Sequence, residues 1–440
     1  MYLSGWGRFP YVETTLAEPR EQTELISIIR SGSSIARGNG RAYGDSAVNP
    51  ETTIHMKHFN RMLSFDKANG QIAVEAGVML ADVIEVCLPH GWFPPVTPGT
   101  KFVTIGGMIA ADVHGKNHHQ HGSFRNFIDW IDLACANGEI KRCSPDENVE
   151  LFNWTVGGMG LTGVIVRAAF RLRAVETGWI NQRTIVAANI DEAIDEFEAA
   201  LDTTYSVAWI DCMSRGNHLG RSLITIGEHA KLLDLKAGSS AIPSMKYGKR
   251  QKAIKFDFPN WALNKLSVRA FNMLYFWIGK NKPRDQLVSW DKYFYPLDSI
   301  LGWNRIYGKR GFSQFQCVIP LTNARSGLRE LLNTISQSSE ASFLAVLKRL
   351  GKQHGHFSFP MEGYTLALDF PISRESMELM SRLDNITASH GGRINLAKDS
   401  RMSSNLLAKT DSRAAIFHNY RVSESINKTF SSNQSIRLNI

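Results

Sequence analysis

Apolar residues along this chain recur with two periods, which predict a protein of mixed helices and strands. Spacings of three and four residues predict helices at 21–30, 79–89, 189–201, 324–336 and 374–390. Alternation of apolar and polar residues predicts strands at 33–36, 53–56, 71–76, 164–174, 205–213, 311–320, 342–348, 364–370 and 393–396. Residues 128–143 predict a hairpin that turns at Asn137-Gly138, the pair preferred in type I′ turns. The fold class is therefore α+β.

The last predicted elements follow a recognisable order. Between residues 311 and 396 they run strand, helix, strand, strand, helix, strand, which is the ferredoxin-like arrangement built on an antiparallel sheet. In the first of these strands, Gln314 and Gln316 share a face with Phe312 and Val318. Paired glutamines beside aromatic residues indicate a polar ligand surface, and an ordinary solvated face is the alternative.

Three glycine-rich segments interrupt the predicted strands in the first part of the chain. Segment 37–45, RGNGRAYGD, has glycines between two arginines, a pattern in which backbone N–H groups and guanidinium forks surround a phosphate. In segment 94–124, Gly106-Gly107 lies in an apolar run, where another group must approach the backbone. Segment 156–163 contains GxGxxG, but the strand predicted after it argues against a dinucleotide site. The segments favour one cofactor extended across several loops, with plain glycine-rich turns as the alternative.

The overall composition is ordinary for a globular protein, so it indicates less about the function than the motifs do. With 440 residues the chain is long enough for two domains, and its net charge of +9 suggests anionic partners such as phosphates, acidic lipid or nucleic acid. The five cysteines are scattered in apolar runs, as buried free thiols are. The first residues lack the features of a signal peptide, and no apolar run reaches the ~20 residues of a membrane span. We therefore expect a cytoplasmic protein.

A basic and aromatic segment divides the second part of the chain. Residues 245–284 contain ten lysines and arginines but a single acidic residue, Asp257, and large aromatic side chains are interleaved among them. Such a mixture is typical of an interfacial membrane segment, of a polyanion site, or of a solvated loop beside a core helix. The sequence leaves all three interpretations open, with the solvated loop as the default.

Two residues are candidates for chemistry. His114 lies between Asp112 and Gly115 on the second glycine-rich segment. Lys398 follows the last predicted strand, where the chain would return to its first domain. There it could stabilise developing negative charge, or take a proton once burial lowers its pKa; a surface charge is the alternative. We expect no metal at the histidine-rich stretch 114–121, since the histidines lack cysteine partners and ligand-like spacing.

Three segments, ARGNGRAYGDSA (36–47), PGTKFVTIGGMIAADVHGKNHH (98–119) and VGGMGLTG (156–163), resemble the flavin domain of the vanillyl-alcohol-oxidase-type FAD oxidoreductases. Within that group the chain is most similar to the family of decaprenylphosphoryl-β-D-ribose 2-oxidases, the flavin subunits of an arabinose-forming epimerase. The similarity continues through GWGR (5–8), YSVAWID (205–211), PLDSILGWNRIYG (296–308), GFSQFQCVIP (311–320), SFLAVLKRLG (342–351) and AKDSR (397–401). This combination is far more specific than any one glycine motif.

The resemblance implies a two-subdomain FAD-binding domain of the vanillyl-alcohol-oxidase type at residues 1–176 and 393–440. Residues 177–392 would form a substrate-binding domain with an antiparallel sheet and ferredoxin-like elements. Lys398 and His114 would be catalytic, and no metal is implied. The substrate cavity would be lined by Lys116, Trp209, Gln314, Gln316 and Lys348. FAD would be held by Arg37, Gly38, Asn39, Gly40, Arg41, Ala42, Tyr43, Gly44, Asp45, Ser46, Gly99, Thr104, Ile105, Gly106, Gly107, Ala111, Asp112, Val113, His114, Ile165 and Asn395.

The implied reaction moves a hydride from C2 of a polyprenyl-phosphate-linked pentose to flavin N5 and leaves a 2-keto sugar. A separate NADH-dependent short-chain reductase would complete the epimerisation, which makes arabinose for a cell wall or polysaccharide. A quinone or another electron acceptor would reoxidise the flavin. The expected partners are therefore the lipid-linked sugar phosphate, the reductase, the acceptor and the anionic surface of the inner membrane, and not nucleic acid.

The sequence departs from the family pattern near the implied site. Thr365 and Ala367 stand where the family has Asn and Cys, and Asn395 and Phe294 stand where it has Tyr. These departures bear on the sugar and the lipid length more than on the reaction type. Arg41 occupies the place of the histidine that attaches flavin covalently in relatives, so we expect non-covalent FAD. Two other hypotheses are an aldonolactone or alditol oxidase acting on a soluble sugar, and a non-enzymatic membrane- or polyanion-binding protein.

Overall fold

A computed structural model describes residues 1–243, 252–259 and 263–440. Up to residue 176 the helices are α1 (Gln22–Ser31), α2 (Leu80–Cys87), α3 (Ile105–Ala110), α4 (His118–His121) and α5 (Val149–Thr155). The strands of this part are β1 (Tyr2–Leu3), β2 (Val12–Glu13), β3 (Thr15–Ala17), β4 (Ser34–Arg37), β5 (Thr52–His55), β6 (Met62–Asp66), β7 (Gln71–Glu75), β8 (Trp92–Phe93), β9 (Ile128–Ala134), β10 (Ile140–Cys143), β11 (Val164–Arg171) and β12 (Arg173–Ala174).

After residue 176 the strands are β13 (Trp179–Ala187), β14 (Tyr205–Ile210), β15 (Ser222–His229), β16 (Lys252–Ala253), β17 (Asp285–Ser289), β18 (Ile300–Leu301), β19 (Phe312–Pro320), β20 (Ala345–Leu350), β21 (Gly363–Pro371) and β22 (Arg393–Ile394). The helices are α6 (Ile190–Ala199), α7 (Lys265–Asn281), α8 (Trp290–Phe294), α9 (Ala324–Gln337), α10 (Arg374–Ser389), α11 (Ser404–Thr410), α12 (Arg413–Ser423) and α13 (Asn433–Leu438). The parts of the predicted basic segment at 245–251 and 260–262 lie outside the described residues.

Two sheets carry the glycine-rich segments of the first part of the chain. One is a parallel sheet in the order β3-β5-β4, and the other is an antiparallel sheet in the order β10-β9-β11-β7-β6. Helix α1 packs Leu25 and Ile29 into a core shared with Ile54 of β5. Because β4 ends at Arg37, the first glycine-rich segment begins where the parallel sheet stops.

The hairpin predicted at residues 128–143 is formed by β9 and β10, but its turn is not type I′. Gly138 N donates to the carbonyl of Cys135 at 2.9 Å, so Ala136 and Asn137 are the central residues of the turn. Only Gly138 takes a left-handed conformation there, with φ of +80°. The prediction of a type I′ Asn-Gly pair is wrong, because the longer loop shifts the left-handed position to Gly138 alone.

An eight-stranded antiparallel sheet dominates the second part of the chain, in the order β17-β13-β15-β14-β20-β21-β19-β22. From β19 to β22 the chain runs strand, helix, strand, strand, helix, strand, in the order anticipated from the sequence. Within this unit the fourth strand lies beside the first, then the third and the second. Strand β22 ends at Ile394, so the sheet extends just past residue 392.

The same strand order occurs a second time in this sheet, which the sequence did not predict. Strands β13, β14, β15 and β17 also lie in the order fourth, first, third, second, with α6 and α7 as the connecting helices. The two units join edge to edge through their second strands, where Trp209 of β14 pairs with Val346 of β20. A long connection between β15 and α7 hides this repeat in the sequence.

The eight-stranded sheet has two unlike faces. Phe315, Leu347 and Leu366 belong to a large core that they share with apolar residues of α6, α9 and α10. Their neighbours along the strands point to the opposite face, because successive side chains of a strand alternate. We call this second face the open face. It is turned toward the second glycine-rich segment, since the Gln316 side chain on this face lies 3.3 Å from His114, between Nε2 atoms.

Helix α7 is the described helical part of the predicted basic segment. Asn264 caps its first turn, and its Tyr275 ring lies 4.8 Å from the Trp209 ring between centroids. A Cβ on Gly279 would come within 2.2 Å of Leu223, so glycine allows the helix to approach the sheet closely. Helix α7 also leaves large apolar side chains partly or mostly exposed, namely Leu266, Phe271, Met273, Leu274, Tyr275, Trp277 and Ile278. Among the described residues, no helix combines the length and apolar character that a bilayer crossing requires.

The C-terminal residues tie the two ends of the chain together. In α13, Arg437 Nη2 donates to Asp45 Oδ1 at 2.8 Å and to Asp399 Oδ2 at 3.0 Å. Asp45 lies in the first glycine-rich segment, and Asp399 follows Lys398. Burial tends to raise the pKa of Asp399, but Arg437 and Arg401 outweigh burial, and the pKa is lowered. The guanidinium therefore joins two carboxylates that have almost no access to water.

Removing this guanidinium should destabilise the protein. We expect Arg437→Ala to lower the free energy of unfolding by about 3 kcal/mol, because two buried carboxylates lose their cation. The apparent thermal midpoint should fall on the order of 5 °C, as measured by circular dichroism. The control is Arg374→Ala, which removes an exposed pair with Glu378 and should leave the midpoint unchanged. Equal midpoints for the two variants would contradict the structural role of Arg437.

Candidate active site

A polar site forms between the open face of the eight-stranded sheet and segments from both ends of the chain. The residues that the sequence assigned to substrate or catalysis lie on its two sides. From the open face come Trp209, Gln314, Gln316 and Lys348. Opposite them are His114, Lys116 and Lys398, and His114 Nε2 lies 3.3 Å from Gln316 Nε2. Residues far apart in sequence therefore lie on the two sides of one site.

Three lysines bring their ammonium groups into this site. Burial lowers the pKa of Lys116 and of Lys398 to about 7, and the charge of Lys348 contributes to both shifts. Burial also lowers the pKa of Lys348 to about 8. Each of these lysines is half-buried. An arrangement of this kind suits an anionic ligand and groups that gain or lose protons near neutral pH.

Lys398 has two neighbours that define its surroundings. Its Nζ lies 3.7 Å from the centre of the Tyr43 ring, and Tyr43 N donates to the carbonyl of Ala397 at 2.9 Å. On the other side is Asp369 of β21, whose carboxylate accepts from Gln314 Nε2 at 2.5 Å. Burial raises the pKa of Asp369 to about 7, against the effects of Gln314 and Lys398. Lys398 and Asp369 thus influence each other's pKa, and both groups titrate near neutrality.

The first glycine-rich segment uses its two arginines differently. Arg37 Nη2 donates to the carbonyl of Ser4 at 2.8 Å, and a Cβ on Gly40 would come within 2.4 Å of the same nitrogen. Arg37 therefore stabilises the loop through contacts with the protein itself. Arg41 instead places its guanidinium 4.0 Å from the Trp6 ring, and its buried Nε has no hydrogen-bond partner in the described part of the chain. Of these two arginines, Arg41 therefore has a buried donor that an anionic ligand could meet.

Glycines of the first two segments also allow other protein atoms to approach the backbone closely. A Cβ on Gly38 would lie 2.1 Å from Thr104 Oγ1, and one on Gly106 would lie 2.8 Å from Ala76 Cβ. Thr104 caps α3 by accepting from Gly107 N at 3.3 Å. By contrast, a Cβ on Gly99 would meet no atom within 4 Å, so this position borders open space. The chain's own packing explains Gly38 and Gly106 without a ligand.

Asp112 is a structural carboxylate just before His114. It has a φ of +38° and accepts hydrogen bonds from Ser123 Oγ at 2.9 Å, Arg125 N at 2.9 Å and Ser358 Oγ at 2.5 Å. Burial raises its pKa, although these hydrogen bonds act in the opposite direction. Its carboxylate therefore orients the loop that carries His114 and connects that loop to the segment after β20.

The neighbouring histidines of α4 are held by protein groups. His118 Nε2 lies 2.9 Å from Gln353 Oε1, and its Nδ1 accepts from Gly351 N at 3.1 Å. His119 Nε2 lies 2.8 Å from the carbonyl of Thr203. These contacts attach α4 to the eight-stranded sheet and give both residues a structural role.

The other residues assigned to the cofactor line the same loops or support them. Asn39 Nδ2 donates to the carbonyl of Phe102 at 2.8 Å, Asp45 is bound to Arg437, and Asn395 Nδ2 donates to Gln316 Oε1 at 3.0 Å. Gly44 packs against the carbonyl of Asp399. The remaining members are Ala42 and Ser46 in the first segment, Ile105, Ala111 and Val113 in the second, and Ile165 on β11.

Sequence reasoning missed several residues of the site. Asp369 was not selected, although it is the sole acidic residue in the apolar strand GYTLALDFP and its charge raises the pKa of Lys398. Tyr293 was also missed, and the Lys116 ammonium lies 4.1 Å from the centre of its ring while donating to its carbonyl. A lone acid in an apolar strand was a usable signal; the position of Tyr293 had none.

The arrangement fits a large anionic cofactor with a flat ring system. Arg41 offers a buried donor without a partner, Gly99 borders open space, and the Tyr43 ring and Lys398 ammonium form one wall. Donors and cations that exceed the available carboxylates are suited to phosphate oxygens and to a ring that accepts negative charge.

The sequence of this chain is similar to those of known proteins. A family model described as an FAD binding domain matches residues 15–144, which include the first glycine-rich segment and all of the second. The chain is 38% identical over 414 residues to the decaprenylphosphoryl-beta-D-ribose oxidase of Mycolicibacterium smegmatis, covering 91% of this chain and 89% of that protein. It is 29% identical to an uncharacterised protein of Streptomyces coelicolor over 82% of this chain and all of that protein. The L-gulonolactone oxidase of Bos taurus is 29% identical over 43% of this chain and 40% of its own length.

Proposed function

The chain belongs to the FAD-dependent oxidoreductase family of the decaprenylphosphoryl-β-D-ribose oxidases, and on that premise we propose that it oxidises the C2 hydroxyl of a polyprenylphosphoryl ribose to the 2-keto sugar. The observation that supports this most is the 38% identity across 89% of the mycobacterial oxidase. The reaction would be the first half of an epimerisation to the arabinose form. A NADH-dependent short-chain reductase would catalyse the second half, and a quinone or another acceptor would take the electrons.

FAD is the cofactor, and when bound it supplies the acceptor for the hydride of the substrate C–H bond. We propose that residues 1–176 and 393–440 hold it and that residues 177–392 bind the substrate. Arg41 and the loop at Thr104–Gly107 would face the phosphates, and Tyr43 and Lys398 would lie beside the ring system. Because Arg41 occupies the position where relatives carry the attaching histidine, the bond to the protein would be non-covalent.

The substrate would lie on the open face of the sheet. Lys116 and Lys348 would balance the charge of its phosphate, and Gln314 and Gln316 would orient its hydroxyl groups. Thr365 and Ala367 belong to the same face of β21, since they pair with Val318 and Gln316 of β19. Their difference from the family pattern changes the side chains on this face while leaving its lysines in place.

The substrate class is tested by anaerobic flavin bleaching. We expect the yellow protein to be bleached by polyprenylphosphoryl ribose and not by free ribose, a soluble aldonolactone or an alditol, because the lysines of the site need the phosphate. Acid precipitation should release the flavin into the supernatant. Bleaching by the lactone or alditol alone would instead support an aldonolactone or alditol oxidase. The partial similarity to L-gulonolactone oxidase makes that the second candidate.

The role of Lys398 is tested by substitution and pH. We expect Lys398→Ala to lower the rate of flavin reduction about 100-fold or more, because a positioned cation no longer stabilises negative charge on the reduced ring. In the wild type the rate should fall as the pH rises through the pKa of Lys398, about 7, since the charge is lost. The measurement is stopped-flow bleaching across pH.

Two further variants make this test specific. Asp369 raises the pKa of Lys398, so Asp369→Asn should move the falling limb of the profile to lower pH. Lys409→Ala removes an exposed lysine of α11 and should leave rate and profile unchanged. A limb that stays in place in Asp369→Asn, or a Lys398→Ala enzyme that reduces flavin normally, would refute the assigned role.

We also propose that α7 holds the protein at an anionic membrane. Its exposed side carries Leu266 at 80% and Trp277 at 65% exposure, and Lys280 and Lys282 lie at its C-terminal end. Large apolar residues flanked by cations are suited to the interface of a bilayer with acidic headgroups. Since α7 packs against Trp209 of the open face, a lipid-linked substrate would not have to leave the membrane completely.

Vesicle cosedimentation tests this attachment. Binding should require phosphatidylglycerol and weaken with salt, because each cation near the surface contributes about 1 kcal/mol and the Debye length is about 8 Å at physiological ionic strength. The double variants Leu274→Ser/Trp277→Ser and Lys252→Ser/Lys255→Ser should bind less. The matched control Ile416→Ser/Val422→Ser removes exposed apolar residues of α12 and should bind normally. Binding that is indifferent to lipid charge, salt and the α7 changes would exclude α7 as the anchor.

A further inference from the structure

A chain of hydrogen bonds begins at a backbone group and ends at His114. Ala397 N donates to Asn395 Oδ1 at 3.0 Å, and Asn395 Nδ2 donates to Gln316 Oε1, also at 3.0 Å. Gln316 Nε2 then lies 3.1 Å from Thr365 Oγ1 and 3.3 Å from His114 Nε2. The bond between Asn395 and Gln316 is buried, so water does not compete for it.

The direction of this chain is determined at its first link. A backbone N–H can only donate, so the oxygen of the Asn395 side chain must face Ala397 and its NH2 group must face Gln316. The Gln316 oxygen then accepts, and the Gln316 NH2 group must face Thr365 and His114. Turning Asn395 around would place two donors together and two acceptors together, and turning Gln316 around would place its NH2 group against that of Asn395; either change leaves buried polar groups unsatisfied.

The last link determines the protonation of His114. Its Nε2 atom faces an NH2 donor and must therefore present a lone pair, which places the ring proton of a neutral imidazole on Nδ1. The ring stays neutral, since burial, Lys348, His118 and Lys398 hold its pKa well below the usual value. Nδ1 has no hydrogen-bond partner in the described residues and is not sealed from solvent. Its proton is therefore available to a ligand.

We propose that Ala397, Asn395 and Gln316 hold His114 as the neutral Nδ1–H tautomer, so that His114 offers the site a hydrogen-bond donor and not a base. Asn395 and Gln316 are then positioning residues that act through His114. The acceptor for this N–H, a substrate oxygen or the cofactor, rests on the proposed function. The tautomer itself does not, because it is built into the protein. Asn395 and Thr365, two departures from the family pattern, are both members of this chain.

The tautomer is measured by long-range 1H–15N correlation spectra of the FAD-bound protein labelled with 15N-histidine, in the absence of substrate. The His114 signals are assigned by their loss in His114→Asn. We expect a protonated Nδ1 and an unprotonated Nε2, in a ratio of about ten or more. A wild-type spectrum with the proton on Nε2 would overturn the proposal, whatever the enzyme oxidises.

Variants of the hydrogen-bonded residues test whether the direction of the bonds, and not the packing of the side chains, sets the tautomer of His114. Gln316→Glu replaces the NH2 donor with an acceptor, and Asn395→Asp should force Gln316 to turn its NH2 group away from His114. In both we expect the proton to appear on Nε2. Thr365→Val removes the other acceptor of the same NH2 group without reversing the chain, so it should keep the Nδ1–H pattern. An unchanged tautomer in Gln316→Glu and Asn395→Asp would show that these hydrogen bonds do not set the tautomer of His114.

Discussion

The site depends on an ionic contact between the last helix of the chain and two loops that lie far from it in sequence. Arg437 holds Asp45 and Asp399 together, and these carboxylates belong to the two loops that bring Tyr43 beneath Lys398. Both carboxylates are shielded from water, so their separation without the guanidinium would leave uncompensated buried charge. This is why the last helix of the chain, far from the site in sequence, takes part in its construction. The lysine can be placed accurately only because its loop is anchored on both sides.

The eight-stranded sheet supplies the other half of the site through simple alternation. One face is filled by α6, α9 and α10, and this leaves the other free to carry polar residues. Lys348, Asp369 and Gln316 lie on adjacent strands of that open face and meet groups from the glycine-rich segments. Joining two units of the same strand order through their second strands widens the face. The open face therefore continues from the lysines to Trp209, on which α7 packs.

Burial explains the electrostatics of the site better than pairing does. For Lys116, Lys348 and Lys398, burial is the largest cause of the lowered pKa, and Asp369 only partly opposes it for Lys398. Groups that would be fully charged in water are thus brought close to neutral pH, where a ligand's charge decides their state. Asp112 shows the same principle in a structural role, since four hydrogen bonds hold a buried carboxylate in place.

By itself, the sequence determined the class of the fold, the βαββαβ order after residue 311, the shared face of Gln314 and Gln316, and the similarity to FAD oxidoreductases. These features depend on local periodicity and on motifs that are continuous in the chain. Only the tertiary structure decided that Arg37 bonds to the carbonyl of Ser4 while Arg41 lies over the Trp6 ring, that the charge of Asp369 acts on Lys398, and that the β13–β17 unit has the same strand order as the β19–β22 unit. The physical reason is that periodicity states which face a side chain takes, whereas its partner comes from packing between distant segments.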